Sequence, residues 1–178
     1  FKNTLVITED SQSPLRQIAV KNNCTILNHE KDIGGRYSIF SNVGLLPALL
    51  NNFDARKFLL GADNILSGVL NETYLEHKRL SNIFYNHSQT KFINSVLMTY
   101  SDSLFFFGKW YLQLWSESIG KNSKGITPIH SIGTTDQHSQ LQLYLDGPKD
   151  KFFTFITTNN KDQGITMNKK ILDENELN

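Results

Sequence analysis

Short apolar runs alternate along the chain with stretches whose apolar residues recur at helical spacing. Thr4-Leu5-Val6-Ile7-Thr8 is a β-branched run closed by Glu9, Asp10 and Ser11, the pattern of a strand ending in a turn. Leu15, Ile18 and Ala19 then fall on one helical face. Thr25-Ile26-Leu27 reads as a second strand, and Val43 to Leu50 as a short apolar helix whose first turns hold Pro47. With Asp54 as cap, Phe58, Leu59, Ala62, Ile65, Leu66 and Val69 predict an amphipathic helix. A further helix is predicted over Asn71 to His87, and Ser95 to Tyr100 is a compact apolar run of the kind found in a buried central strand. Phe107 to Gly120 returns to helical periodicity, and Phe152 to Ile156 supplies a late strand of aromatic and β-branched residues.

Strand-helix alternation of this kind predicts an α/β fold: a parallel sheet covered on both faces, with ligands at the carboxyl ends of strands near a topological switch point. With 178 residues, one domain is the default. Residues 159–178 are polar and charged, with little to bury, and read as a tail or linker beyond a domain of residues 1–158. No internal repeat is visible.

Asp32-Ile33-Gly34-Gly35-Arg36-Tyr37-Ser38-Ile39-Phe40-Ser41 sets a guanidinium on a double-glycine bend between a β-rich segment and a helix. Glycines allow backbone conformations and close approaches that a Cβ would block, so a ligand can come near Arg36. Ser38, Ser41 or Asn42 can cap the helix starting near Val43, whose free N–H groups would add to the positive field. A buried structural arginine in a plain turn has the same signature.

Glu117 follows Gln113 by four positions and Trp110 by seven, so the three share a helical face. Apolar surroundings there would raise the affinity of a carboxylate for its proton and suit it to general-base work; an exposed pair with Lys121, one turn on, is the alternative. His138 ends the polar, glycine-containing stretch Gly133-Thr134-Thr135-Asp136-Gln137, where a loop histidine can exchange protons near neutral pH or simply be solvated. His29, His77, His87 and His130 have less context, and no metal-ligating set is signalled.

Composition narrows the partners. A net charge of +1 with scattered lysines offers no stripe for a phosphodiester backbone, so nucleic acid is not expected. The single cysteine, Cys24, cannot form an internal disulfide. Apolar runs such as Leu104 to Phe107 are far shorter than the roughly 20 residues that span a bilayer, and the expectation is a soluble, cytoplasmic protein. The chain opens at Phe1 with no signal peptide in view, which suggests an excised or trimmed piece.

Three of these segments, in order, resemble signatures of the glucose-6-phosphate isomerase (phosphoglucose isomerase) family: Asp32 to Gly44 with its Gly-Gly-Arg-Tyr-Ser, Glu117-Ser118-Ile119-Gly120-Lys121, and Gly133-Thr134-Thr135-Asp136-Gln137-His138. The resemblance implies the second of two sugar-isomerase (SIS) domains: a flavodoxin- or Rossmann-like three-layer αβα sandwich on a mainly parallel five-stranded sheet. It further implies interconversion of glucose 6-phosphate and fructose 6-phosphate, in glycolysis and gluconeogenesis, through a cis-enediol and without metal or organic cofactor. By motif, Glu117 would move the proton between C2 and C1, and Arg36 would stabilise the enediolate oxygens. Gln113 would contact substrate, Gly34 and Gly35 would let the backbone approach the sugar, and Ser38 would be structural. His138 would assist ring opening in the neighbouring subunit's site, which implies a homodimer.

Family members are more than twice as long. The serine and threonine loop that cradles the phosphate, the Asp-Gln-x-Gly-Val-Glu signature and the lysine beyond it have no counterpart here. Because a remote phosphate helps orient the reacting carbons, residues 1–178 alone are expected to have little or no isomerase activity. A non-catalytic phosphosugar-binding SIS module and one half of a split enzyme are the alternatives.

Overall fold

The structure, a computed structural model, describes residues 1–88 and 92–159. Strand and helix alternate as β1 (Leu5–Glu9), α1 (Pro14–Lys21), β2 (Thr25–His29), the 3-10 turn Gly35–Phe40, α2 (Asn42–Leu50), α3 (Ala55–Leu70), α4 (Glu76–Ser88), β3 (Asn94–Tyr100), α5 (Phe105–Ile119), β4 (Thr127–Ile132), α6 (Thr135–Asp146) and β5 (Lys151–Thr157). The protein is therefore α/β, and every strand pairing among the described residues is parallel. The five strands among the described residues are hydrogen-bonded as a pair, β1-β2, and a triplet ordered β4-β3-β5, instead of one continuous sheet.

The core sits on β3. Ser95, Val96, Leu97, Met98 and Thr99 are all buried, and no side of the strand faces water. That is why its sequence is a continuous run without polar alternation. Val96 lies opposite Ile129 on one side and Phe153 on the other, and Thr99 opposite Ile132 and Ile156. Phe84 brings α4 onto this layer, its ring edge-on to Trp115 and Phe152 with centroids 5.0 and 5.1 Å away.

Local signals explain the helix ends. Ser13 and Asp54 cap α1 and α3 by accepting from the Arg16 and Lys57 amides, satisfying donors left without intrahelical partners. Among the three candidate caps of α2 it is Ser41 that accepts, from the Val43 amide; Pro47 lies inside that helix. The expected helix over Asn71 to His87 starts only at Glu76. Glu72 takes a left-handed φ of 56°, and the Thr73 and Tyr74 amides both turn back to the Gly68 carbonyl, closing α3 first.

Two elements depart from the sequence reading. Thr127–Ile132 forms β4, although Pro128, His130 and Ser131 break its apolar run. Thr135–Asp146 forms α6, so His138 stands in the first turn of a helix and not in a loop. The start of α6 is held by Asp136, whose carboxylate accepts from the Ile132 amide at 2.6 Å and from the Ser139 hydroxyl at 3.2 Å. All of the proposed tail except Asn159 lies outside the described residues.

Candidate functional site

The chain leaves β2, turns at Asp32 to Gly34 and enters the 3-10 turn that carries Arg36. Internal hydrogen bonds fix this turn: the Ser38 hydroxyl donates to the Gly35 carbonyl at 2.7 Å, and Ser41 donates to the Ser38 carbonyl at 2.8 Å. Ser38 is buried, in keeping with a structural role. From α5, the indole N–H of Trp110 donates to the Arg36 carbonyl at 3.0 Å, docking the turn against that helix.

Arg36 then reaches the last turn of α5. Its Nη1 is 3.5 Å from Oε2 of Glu117, with side chains 24% and 50% exposed respectively, and its Nε donates to Ser118 Oγ at 3.1 Å. Gln113 Nε2 donates to the other Glu117 oxygen, Oε1, at 3.0 Å. Each carboxylate oxygen thus has its own partner, and the carboxylate opens to solvent between them. The expected apolar surroundings of Glu117 are absent, because its side chain is half exposed and its oxygens meet Arg36 and Gln113; the alternative partner Lys121 is replaced by Arg36.

Tyr37 completes the group. The Arg36 guanidinium carbon lies 4.6 Å from the Tyr37 ring centroid, and the phenol oxygen is 3.1 Å from Ser118 Oγ. The Ser118 contact, and after it Arg36, hold the Tyr37 phenol below its ordinary value. Tyr37 and Ser118 both lie inside the motifs, yet neither carries a site signal of its own in the sequence. Helical spacing pairs Gln113 with Glu117 but carries no information about a contact between residues 36 and 118.

Gly34 and Gly35 do not owe their identity to the backbone. Gly34 has φ −65°, and Gly125 is the positive-φ glycine among the described residues. A Cβ on Gly34 would meet Tyr37 at an ordinary 3.8 Å, and one on Gly35 would meet nothing within 4 Å. The space over Gly35 is open, which leaves its backbone approachable from outside.

His138 is separate. It is exposed on α6, directly after the carboxyl end of β4, and among the described residues its side chain has no hydrogen bond or ion pair to Arg36, Gln113 or Glu117. Glu117 lies twelve residues beyond Phe105, the first residue of α5, about 18 Å along the helix axis. Arg36 and His138 follow the carboxyl ends of β2 and β4 in the chain, and the ion pair with Arg36 brings Glu117 to the first of these places. Among the described residues no group of three or more His, Cys, Asp or Glu could hold a metal ion, and no helix is long and apolar enough to cross a membrane.

The fold and site define an α/β protein that presents an arginine, a carboxylate and an amide together on one open surface. Residues 6–178 match the phosphoglucose isomerase family, and the chain belongs to that family. It is 44% identical to a glucose-6-phosphate isomerase from Methanocaldococcus jannaschii over 158 residues, covering 88% of this chain and 39% of the relative. It is 34% identical to one from Mycoplasmopsis synoviae over 178 residues, covering 98% and 41%. A hypothetical protein from Thermus thermophilus, known by its crystal structure, superimposes with a TM-score of 0.77 at 31% identity, covering 85% of this chain and 37% of that one. The chain thus spans about two fifths of the length of such relatives.

Proposed function

We propose that the chain carries the proton-transfer centre of a glucose-6-phosphate isomerase, with glucose 6-phosphate and fructose 6-phosphate as substrates. The observation that carries this reading is the convergence of Arg36 and Gln113, from two distant segments, on the Glu117 carboxylate. Starting from the aldose, Glu117 takes the C2 proton. The C2–H electron pair becomes the C1–C2 double bond, and negative charge gathers on the C1 oxygen. Arg36, already aimed at a carboxylate oxygen, compensates that charge, a preorganised task worth several kcal/mol in comparable sites. Glu117 then returns its proton to C1 while the hydroxyl proton passes from O2 to O1. All of this is acid-base and electrostatic work by side chains of the chain itself.

Gln113 orients the Glu117 carboxylate and contacts the sugar, and the backbone of Gly34 and Gly35 lies along it. His138, exposed and without a hydrogen bond or ion pair to Glu117 among the described residues, assists ring opening at the site of a second subunit, so the working enzyme is a homodimer; we place it in the cytoplasm. Residues 1–178 alone lack the remote phosphate anchor and turn over fructose 6-phosphate far more slowly than the full-length protein. Near-equal rates for the two would overturn that part of the reading. The central test is Glu117→Gln in the full-length protein: exchange of the substrate C2 proton with solvent should be lost, and retained exchange removes Glu117 from the role. Sugar-phosphate binding without any exchange in the unsubstituted protein would identify a binding module instead.

A further inference from the structure

Ser118 sits beside the carboxylate that the proposed reaction uses, yet nothing in that chemistry employs it. Its hydroxyl oxygen accepts from Arg36 Nε at 3.1 Å and lies 3.1 Å from the Tyr37 phenol oxygen. Both partners leave the same 3-10 turn, whereas Ser118 belongs to the end of α5. The Arg36 head is therefore gripped on three sides: Nε by Ser118, Nη1 by Glu117, and its face by the Tyr37 ring.

We infer that Ser118 is a positioning residue for Arg36, with Tyr37 locking the Ser118 hydroxyl in the orientation that receives the guanidinium. A guanidinium presents its five donors in a fixed plane, so pinning Nε sets the direction of both Nη groups. Without that pin Arg36 can still pair with Glu117 through either Nη, but its plane is free to rotate about the pair. The consequence for a bound enediolate is one of direction, because electrostatic stabilisation depends on donors aimed in advance at the developing charge. Ser118 therefore acts on the chemical step more than on ground-state binding. Tyr37 fits the same arrangement: its phenol is exposed, and the only side-chain hydroxyl bonded to it among the described residues is Ser118.

The catalytic half of this inference rests on the isomerase reading; the positioning half does not. In the full-length protein, Ser118→Ala should lower kcat roughly tenfold while KM changes less than about twofold, and Ser118→Thr, which keeps a hydroxyl, should recover most of the loss. Tyr37→Phe should give a smaller kcat loss in the same direction. The parallel readout is the Arg36 Nε–H resonance in 15N-detected NMR, which should exchange faster with solvent in Ser118→Ala and return toward the unsubstituted rate in Ser118→Thr. An unsubstituted protein without isomerase activity would defeat the functional reading, and the NMR comparison would still decide whether Ser118 holds Arg36. Unchanged kcat together with unchanged Nε–H exchange in Ser118→Ala overturns the inference, as does equal impairment of the Ala and Thr variants.

Discussion

The indole N–H of Trp110 donates to the backbone carbonyl of Arg36 at 3.0 Å, so the middle of α5 fixes the turn whose guanidinium meets the last turn of the same helix. Two contacts along one helix thus define where Arg36 starts and where it ends. Trp110→Phe keeps an aromatic ring beside Phe107, whose centroid is 5.9 Å from that of Trp110, but leaves the Arg36 carbonyl without its donor. The expected cost is about 1–2 kcal/mol in urea unfolding. Under the isomerase reading, kcat falls as well, because the Arg36 turn is no longer tied to the helix carrying Glu117. A variant with unchanged stability and unchanged kcat would show that the turn is held by other contacts.

His130 gives the fold a pH dependence of definite sign. Its Nε2 lies 3.0 Å from the hydroxyl of the fully buried Thr99, and Phe105 flanks the ring. Burial pushes the imidazole below its ordinary value, Lys109 adds to that, and Asp136 opposes it. The unfolded chain therefore binds this proton more readily than the folded one. Stability should decline as pH falls through the ordinary imidazole value of about 6.5 and level off once pH is below the lowered folded value. Asp150, held low by Lys151, pulls in the same direction but only in the carboxylate range. Urea midpoints measured from about pH 7.5 to 5 should fall in the unsubstituted protein and run flatter in His130→Gln. Equal slopes would remove His130 as the source.

The same ring accounts for Gly108. A Cβ at that position would stand 2.2 Å from His130 Cε1 and Nε2, and α5 lies too close to β4 for any side chain to fit between them. Gly108→Ala should cost about 1–3 kcal/mol through overpacking, although alanine is the better helix former. A stabilised variant, by thermal or urea unfolding, would mean that α5 can slide off β4 without penalty.

What could be read from the sequence, and what could not, follows from where the information lies. The apolar run Ser95 to Tyr100 gave away β3 because burial on both faces forbids polar alternation. Edge strand β4 stayed hidden because Pro128, His130 and Ser131 dilute its pattern. The start of α6 stayed hidden too, because Thr135 to Gln140 is almost wholly polar. Gln113 and Glu117 could be paired from their spacing of four. Arg36 and Ser118 could not, since their contact spans 82 positions and exists only once the 3-10 turn packs on α5. The polarity around Glu117 is invisible to periodicity for the same reason: its pairing with Arg36 is tertiary, while periodicity reports only neighbours on one helix.

The glycines around the Arg36 motif separate into two physical kinds. At Gly44 a Cβ would lie 2.1 Å from the Ile39 carbonyl oxygen, so the first turn of α2 can pack against the preceding 3-10 turn only without a side chain. Gly44→Ala should therefore destabilise the protein by about 1–3 kcal/mol, whatever the protein binds. At Gly35 a Cβ meets nothing within 4 Å, and the backbone there is not left-handed. Gly35→Ala should leave stability unchanged or raise it by up to about 1 kcal/mol, because alanine restricts the unfolded chain more than glycine does. If the sugar runs along this backbone as proposed, the added methyl group obstructs it, and KM for fructose 6-phosphate should rise roughly fivefold or more with the fold intact. The two substitutions thus give opposite signatures in stability and in binding. A Gly35→Ala protein that keeps both its stability and its KM would show that the open space over Gly35 is not where the substrate lies.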